Sequence, residues 1–417
     1  MLARTRAVSA ADSNAPSNRV RVAVIGVSRT PKGGEGRGTH LAHTLTTLSG
    51  VEVAYVCDVD SVHLGKAVDS VGKKQGTPPK GVKDFRNILD DKSIDAVVIA
   101  TPDHWHAPAA ILACAAGKQV YVEKPCCQNP REGELLLAAA RKHDRLVQQG
   151  TQRRSWPGVI EAIAKLREGA IGRVIEAKTW YFNNRPTIGH GEQVDAPSTL
   201  DWDLWQGPAP RRPFRDNYVH YNWHWFWQWG TGELGNNGVH FLDVARWGLG
   251  VDHPIRVTSG GGKYRYDDDQ ETPDTQNISL DFDGRKTITW ENRSWAAQTP
   301  LDPAYDVAFY GEHGSLLVKG GGYTICDLKG KEVSKSSQKS DDAAIHLQNF
   351  VTAVRGEGKL SAEIAVGVSS VMLCHLGNIA YRTGHALHLD PNGNILNDPD
   401  AANLWGREYQ EGWEPKV

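Results

Sequence analysis

Glu123-Lys124-Pro125 follows the apolar run Val120-Tyr121-Val122 and sets an ionisable pair against a conformational lock. The proline fixes its own φ and pushes Lys124 toward extended geometry, so the lysine leaves a predicted strand in a set direction. Open α/β sheets place their chemistry at such strand ends. A second chemical signal lies upstream, where Gly26 closes a β-branched run and Gly33-Gly34-Glu35-Gly36-Arg37-Gly38 precedes a helical pattern. Backbone amides and a helix N-terminus meeting there suit a pyrophosphate, which makes Gly26, Gly36, Arg37 and Gly38 cofactor candidates. A compact dinucleotide fingerprint would run straight on from Gly26, whereas Val27-Ser28-Arg29-Thr30-Pro31-Lys32 intervenes, an insertion placed to fold over a cofactor. A flexible surface loop is the competing reading of the glycines. Asp58 ends a second apolar run, where a carboxylate accepts hydrogen bonds from an adenosine ribose and repels a 2′-phosphate, favouring NAD over NADP. Asp60 is a second candidate for that role, and a solvated turn residue is the plain alternative for Asp58.

These residues need a sheet to hold them. Apolar runs begin at Val20, Val51, Ala96 and Gln119, and a further run, Leu146-Val147-Gln148-Gln149, follows. Helical patterns span His40 to Leu48, Phe85 to Leu89, Ala107 to Ala116 and Arg131 to His143. That alternation predicts a doubly wound parallel sheet with right-handed crossovers. Later segments, Ile278 to Phe282, Thr287 to Trp290 and Ala308 to Gly311, alternate as half-buried strands of a second sheet. His346 to Val354 and Val366 to Arg382 read as amphipathic helices.

With 417 residues, 40% hydrophobic and 23% charged, the chain is long enough for two domains with ordinary cores. A net charge of −2 gives no reason to expect nucleic acid or an anionic membrane as partner. No apolar run of about 18 residues is evident, so no membrane span is expected. Residues 1–18 lack the apolar stretch of about 7–15 residues of a secretory signal and read as a disordered tail or leader remnant. Location is left open, cytoplasmic by default and periplasmic if a leader was trimmed. The six cysteines form no C-x-x-C, so neither a zinc site nor a disulfide scaffold is expected. The adjacent Cys126-Cys127 reads as packing behind the Lys124 turn.

Thr101-Pro102-Asp103-His104-Trp105-His106 after one strand and Glu123-Lys124-Pro125 after the next, on a sheet opened by a glycine turn, resemble the Gfo/Idh/MocA oxidoreductases. Asp201-Trp202-Asp203-Leu204-Trp205-Gln206-Gly207-Pro208, Tyr221-Asn222-Trp223-His224-Trp225 and Gly232 to Asp243 extend the resemblance to most of the chain. It implies a tail at 1–18, an NAD-binding Rossmann domain at 19–152 and a substrate domain at 153–384 with a large, mainly antiparallel open sheet. Late helices would pack back on the first domain, in a homo-oligomer; beyond the resemblance, the extension at 385–417 is rich in Asn, Asp and Pro and reads as placed to wrap a neighbour. The resemblance adds Thr101, Pro102, His106 and Glu123 to the cofactor site.

The resemblance implies that Lys124 hydrogen-bonds the reacting hydroxyl and that His240 serves as acid/base. A desolvated ammonium has a lowered pKa and can stabilise a developing alkoxide or accept its proton. Period-2 geometry predicts that Glu123 points away from Lys124 and is structural. The family's dehydrogenases commonly carry an aspartate four residues before the histidine, and this chain has Asn236 there. His240 is then expected to lean on Asp243, and the base stays open between His240 and Lys124.

Tryptophans crowd residues 180–229, and aromatic platforms beside polar groups suit sugars, with core packing as the alternative. Tyr221, Trp223, His224 and Asn236 are candidate substrate contacts beside Lys124 and His240, with His220 a further one. No metal is expected, since His220, His224 and His240 lack ligand spacing. The reading is an NAD-dependent oxidoreductase acting on a secondary ring hydroxyl of a sugar, cyclitol or glycoside. The alternative is a hydrolase or lyase working through transient oxidation of the sugar C3 hydroxyl.

Overall fold

Apolar β-branched runs that hide both faces belong in a parallel sheet covered by helices, and the first third of the chain builds one. The computed structural model describes residues 19–28, 33–336, 340 and 342–417. Strands β1 (Val20–Ile25), β2 (Val51–Cys57), β3 (Lys80–Val82), β4 (Ala96–Ile99), β5 (Gln119–Val122) and β6 (Val147–Gln149) pair in the order β3-β2-β1-β4-β5-β6. Every pairing is parallel. Helices α1 (Arg37–Leu45), α2 (Ser61–Gln75), α3 (Arg86–Leu89), α4 (Asp103–Ala115) and α5 (Pro130–Lys142) make the crossovers. Period-2 alternation sends Val22 and Val24 into one apolar cluster with Leu41 and Leu45, and Ala23 and Ile25 into another with Ile111 and Leu136.

The second unit begins with α6 (Pro157–Arg167), the long strand β7 (Val174–Asn184) and α7 (Trp202–Gln206). After α8 (Val239–Leu249) come β8 (Arg256–Gly262), β9 (Thr275–Phe282), β10 (Lys286–Arg293), β11 (Trp295–Ala296), β12 (Val307–Gly311), β13 (Gly314–Lys319), β14 (Gly322–Asp327) and β15 (Glu332–Lys335). Helices α9 (Ala343–Val354) and α10 (Ile364–Thr383), strand β16 (Leu387–His388) and helix α11 (Pro399–Asn403) close the chain. The sheet runs β15-β14-β13-β12-β7-β10-β9-β8-β16, with β11 on β7. It is antiparallel except where β10 lies parallel to β7. Helix α8 packs on β7, β10 and β12, so the inner face of this sheet is buried under helices.

Late helices return to the first sheet. Leu347 and Phe350 of α9 join the cluster of Val22 and Val24, and a ring nitrogen of His346 lies 2.9 Å from the Gln149 carbonyl. Helix α10 has the length and apolarity to cross a membrane, which the search for an apolar run missed, but most of it is buried inside the protein. It packs on α5, α8 and β8 as a core helix.

Helix α4 starts at Asp103, four residues before the predicted start, so the motif after β4 is itself the helix N-terminus. Pro108 has no N–H to donate to the carbonyl of His104. Arg407 fills that gap, donating Nη2 to the His104 oxygen at 2.8 Å and pairing with Glu132, fully buried, at 2.6 Å. Tyr409 also donates to Glu132, and Trp413 meets Trp105 edge-on at 5.3 Å. The final segment therefore straps back onto its own first domain. The predicted tail at 1–18 and most of the predicted insertion, residues 29–32, lie outside the described residues.

Arg407→Ala should destabilise the protein by about 3–5 kcal/mol, because it strands a buried carboxylate and an unpaired helix carbonyl. In denaturant melts, adding Glu132→Gln should recover much of that loss; a loss below about 1 kcal/mol would show that the strap does not hold the fold.

Candidate active site

The carboxyl ends of β1, β2, β4 and β5 open into one cleft, where parallel sheets bind their ligands. Gly26 turns the chain at φ +88°, and a Cβ there would sit 2.6 Å from the Ala100 oxygen. At Gly38 a Cβ would lie 2.0 Å from the Gly26 oxygen, so α1 approaches the β1 turn more closely than a side chain allows. Gly36 caps α1 with no side chain, leaving first-turn amides open to an anion.

Asp58 lines the cleft at the end of β2 and accepts from the Asp60 amide at 2.9 Å. Burial pushes its carboxyl up to about 7. Asp60 does not share that position. It is turned to cap α2, accepting from the amides of Val62 and His63, and stands outside the cleft lining. These features fit a dinucleotide: the glycine cradle has no room for a Cβ, and Thr101 Oγ1 is buried with no partner among the described residues.

Lys124 enters the cleft from the end of β5. Its ammonium donates to the backbone oxygen of Asn236 at 2.7 Å and to the side-chain oxygen at 3.2 Å. Burial lowers its pKa, and the Glu123 charge opposes that. Glu123 diverges from the ammonium, as strand alternation requires, and takes Arg37 Nε at 2.6 Å. Burial, the largest influence, would raise the Glu123 carboxyl, but the charges of Arg37 and Lys124 together with their hydrogen bonds hold it below the ordinary value. Arg37, expected to face a phosphate, thus lines the cleft with its Nε on Glu123. Gly150 makes room for that carboxylate, since a Cβ would come within 2.8 Å of it. His106 spans the two turns, with ring nitrogens 2.6 Å from the Pro125 oxygen and 2.8 Å from the Thr101 oxygen. Pro102 and Thr101 complete that wall.

Asn236 lies in a π turn, Leu234–Gly238, just before α8. The side-chain oxygen of Asn236 is taken by Lys124. Asp243 does not orient His240, contrary to expectation. Its carboxylate is bound by Arg154 at 2.9 Å and by Ser370 at 2.6 Å in the core. His240 is not among the cleft-lining residues, and its Nδ1 is buried with no partner among the described residues. Burial, helped by the Lys124 charge, pushes its pKa well below the usual histidine value, so the ring is a neutral base near pH 7.

Tyr221, Trp223, His224 and His220 form the opposite wall. His224 stacks on Trp223 at 3.6 Å and points Nδ1 at the Tyr221 carbonyl, 2.6 Å away. Arg185 donates to the Tyr221 hydroxyl at 2.8 Å and is held by Glu233. The tryptophans divide: Trp202, Trp205 and Trp229 pack into an aromatic cluster with Tyr218 and Phe226, while Trp205 and Trp223 also face the cleft. Sequence reading missed Phe85, Trp105 and Leu204 as apolar walls. Trp105 and Leu204 carried a signal through their places inside the Thr101-to-His106 and Asp201-to-Pro208 motifs.

Comparisons with known proteins agree with this geometry. Residues 20–151 match the oxidoreductase family's NAD-binding Rossmann fold, and residues 176–414 match its C-terminal alpha/beta domain. The chain belongs to the Gfo/Idh/MocA oxidoreductase family, and its first domain is an NAD-binding Rossmann domain. It is 30% identical over 167 residues to levoglucosan dehydrogenase of Pseudarthrobacter phenanthrenivorans, covering 40% of this chain and 36% of that protein. A match to inositol 2-dehydrogenase of Salmonella typhimurium is 30% identical over 145 residues, covering 34% and 42%. Glycosyl hydrolase family 109 protein 2 of Shewanella sp. ANA-3 is 36% identical over 112 residues, 26% of this chain and 23% of that protein. The aligned stretches span less than half the length of these relatives. The aldose-aldose oxidoreductase of Caulobacter crescentus, complexed with glycerol, superposes with a TM-score of 0.67 at 19% identity, covering 89% of this chain and 100% of that one. At that identity the likeness speaks to the fold.

A ribose diol donates to a charged carboxylate better than to a neutral acid. NAD affinity, measured by calorimetry, should therefore fall as pH drops through about 7, where burial sets the Asp58 carboxyl in the free protein. Asp58→Asn should flatten that dependence; a variant with the same pH slope as the parent would remove Asp58 from the ribose site.

Proposed function

We propose that this protein is an NAD(H)-dependent oxidoreductase acting on a secondary ring hydroxyl of a sugar, cyclitol or glycoside. The observation that carries the proposal is Lys124, a half-buried lysine at the end of β5 between the dinucleotide cradle and a wall of Tyr221, Trp223 and His224. Bound in the cleft, the nicotinamide would accept or supply the hydride. The protein must then hold the ring, polarise the hydroxyl and take its proton. Trp223 and Tyr221 offer apolar faces to sugar C–H groups, and Lys124 stands where it would meet the hydroxyl.

Lys124 is the residue we assign to the proton. Asn236 brings no negative charge of its own, and burial lowers the lysine pKa against the raising charges of Glu123, Asp103 and Glu233. Neutral His240 is the natural relay or second base, with its orphan Nδ1. Similarity to sugar and cyclitol dehydrogenases supports the substrate class. Similarity to a glycosyl hydrolase family 109 protein keeps the second reading, in which oxidation at C3 acidifies the C2 proton, the C1 group is eliminated, water adds and the ring is reduced again.

Incubation with NAD and a panel of sugars and glycosides, following reduced nicotinamide and sugar release together, separates the two. Net NADH with intact glycoside supports the dehydrogenase, and sugar release without net NADH supports the hydrolase. Lys124→Met should lower kcat by about 10²–10⁴-fold. For alcohol oxidation kcat/KM should rise with pH through a value below the ordinary 10.5 of lysine, as the free amine forms. A limb below 6.5, persisting in Lys124→Met, would instead make His240 the base.

A further inference from the structure

One cluster of metal-ligating side chains joins the rim of the first domain to the cleft wall at His220. Asp60 caps α2 at the rim of the first domain, His63 sits in the first turn of that helix, and His220 belongs to the segment that carries Tyr221, Trp223 and His224. One ligand atom from each lies within 4.8 Å of the other two. The carboxylate divides its oxygens. Oδ1 accepts from the amides of Val62 at 2.8 Å and His63 at 3.2 Å, whereas Oδ2 faces Nε2 of His220 at 3.4 Å. That distance is long for a hydrogen bond, whose donor–acceptor separation runs about 2.7–3.2 Å. It matches the ~3.3 Å edge of a tetrahedron whose ligands stand ~2.0–2.1 Å from a zinc-sized ion. The two imidazoles face each other at 4.2 Å between centroids, tilted by 57°.

We propose that Asp60, His63 and His220 bind a divalent transition metal of the zinc class, and that the ion clips the substrate-binding segment to the rim of the dinucleotide domain. Two neutral imidazoles and one carboxylate suit such an ion better than magnesium or calcium, which take oxygen ligands. Three protein ligands leave a coordination position for water or a ligand oxygen, and His220 already lines the cleft. Closing a pair 4.8 Å apart to that edge takes about 1.5 Å, within reach of side-chain rotation by the half-buried imidazoles. The positive end of α2 opposes a cation, but the capping Oδ1 meets those amides and leaves Oδ2 to the ion. Backbone contacts already seat the segment here: Ser61 N donates to Thr199 O at 2.9 Å and Asp201 N to Val59 O at 3.0 Å. An ion would fix the next stretch, where the substrate wall begins.

The test uses the full chain, freed of any affinity tag and stripped with EDTA. Titration with Co²⁺ should give one equivalent and a visible d–d band, and Zn²⁺ should displace it and raise Tm. Asp60→Asn, which keeps the helix cap, and His63→Ala should each lose the band and the Zn²⁺-induced Tm shift while melting cooperatively. Absence of stoichiometric Co²⁺ or Zn²⁺ on the parent chain would overturn the proposal, and so would binding that survives in both variants.

Discussion

The hydrogen bond from the Lys124 ammonium to the backbone oxygen of Asn236 is the contact on which the rest of the site depends. It crosses from the end of β5 to the turn that opens α8, so one interaction joins the parallel sheet to the second unit at the point of chemistry. A backbone acceptor matters here. It directs the ammonium without neutralising it, and burial then lowers the lysine pKa toward the range where it can exchange a proton. The π turn at Leu234–Gly238 makes that possible, because a π turn departs from the i→i−4 bonding of an ordinary helix and is a frequent feature of functional sites.

Glu123 shows how the neighbouring charge is kept apart. Its carboxylate turns to Arg37, seated by the absence of a side chain at Gly150, so the adjacent glutamate and lysine serve different ends. Arg37 is thereby fixed at the mouth of the glycine cradle, at the first residue of α1. One part-buried ion pair holds the glycine-turn side of the cleft while the Lys124–Asn236 bond holds the side that faces the second unit.

Two segments distant in sequence close the cleft. The stretch at 199–229 brings an aromatic cluster over the rim of the first domain, and its backbone bonds to Val59 and Ser61 seat it beside Asp58. The last residues strap over α4, where Arg407 supplies the donor that Pro108 lacks and Trp413 backs Trp105. Both devices use polar satisfaction of the first domain to place apolar walls against the cleft.

The sequence by itself determined the doubly wound first domain, the alternating strands of the second sheet, and the positions of Gly26, Asp58, Thr101 and Lys124 at strand ends. Those features are local: an apolar run and the turn that ends it are contiguous, and their periodicity is written in a few residues. Tertiary structure alone decided the partners. Arg37 meets Glu123 across 86 positions and Lys124 meets Asn236 across 112. Asp243 was drawn to Arg154 and Ser370 rather than to His240, and Asp60 to the α2 cap rather than to the ribose position. Asn236 was read as a neighbour of His240, and its oxygens hold Lys124. Such pairings follow from how separately formed elements register and from which buried polar groups must find a partner, and no local pattern records either.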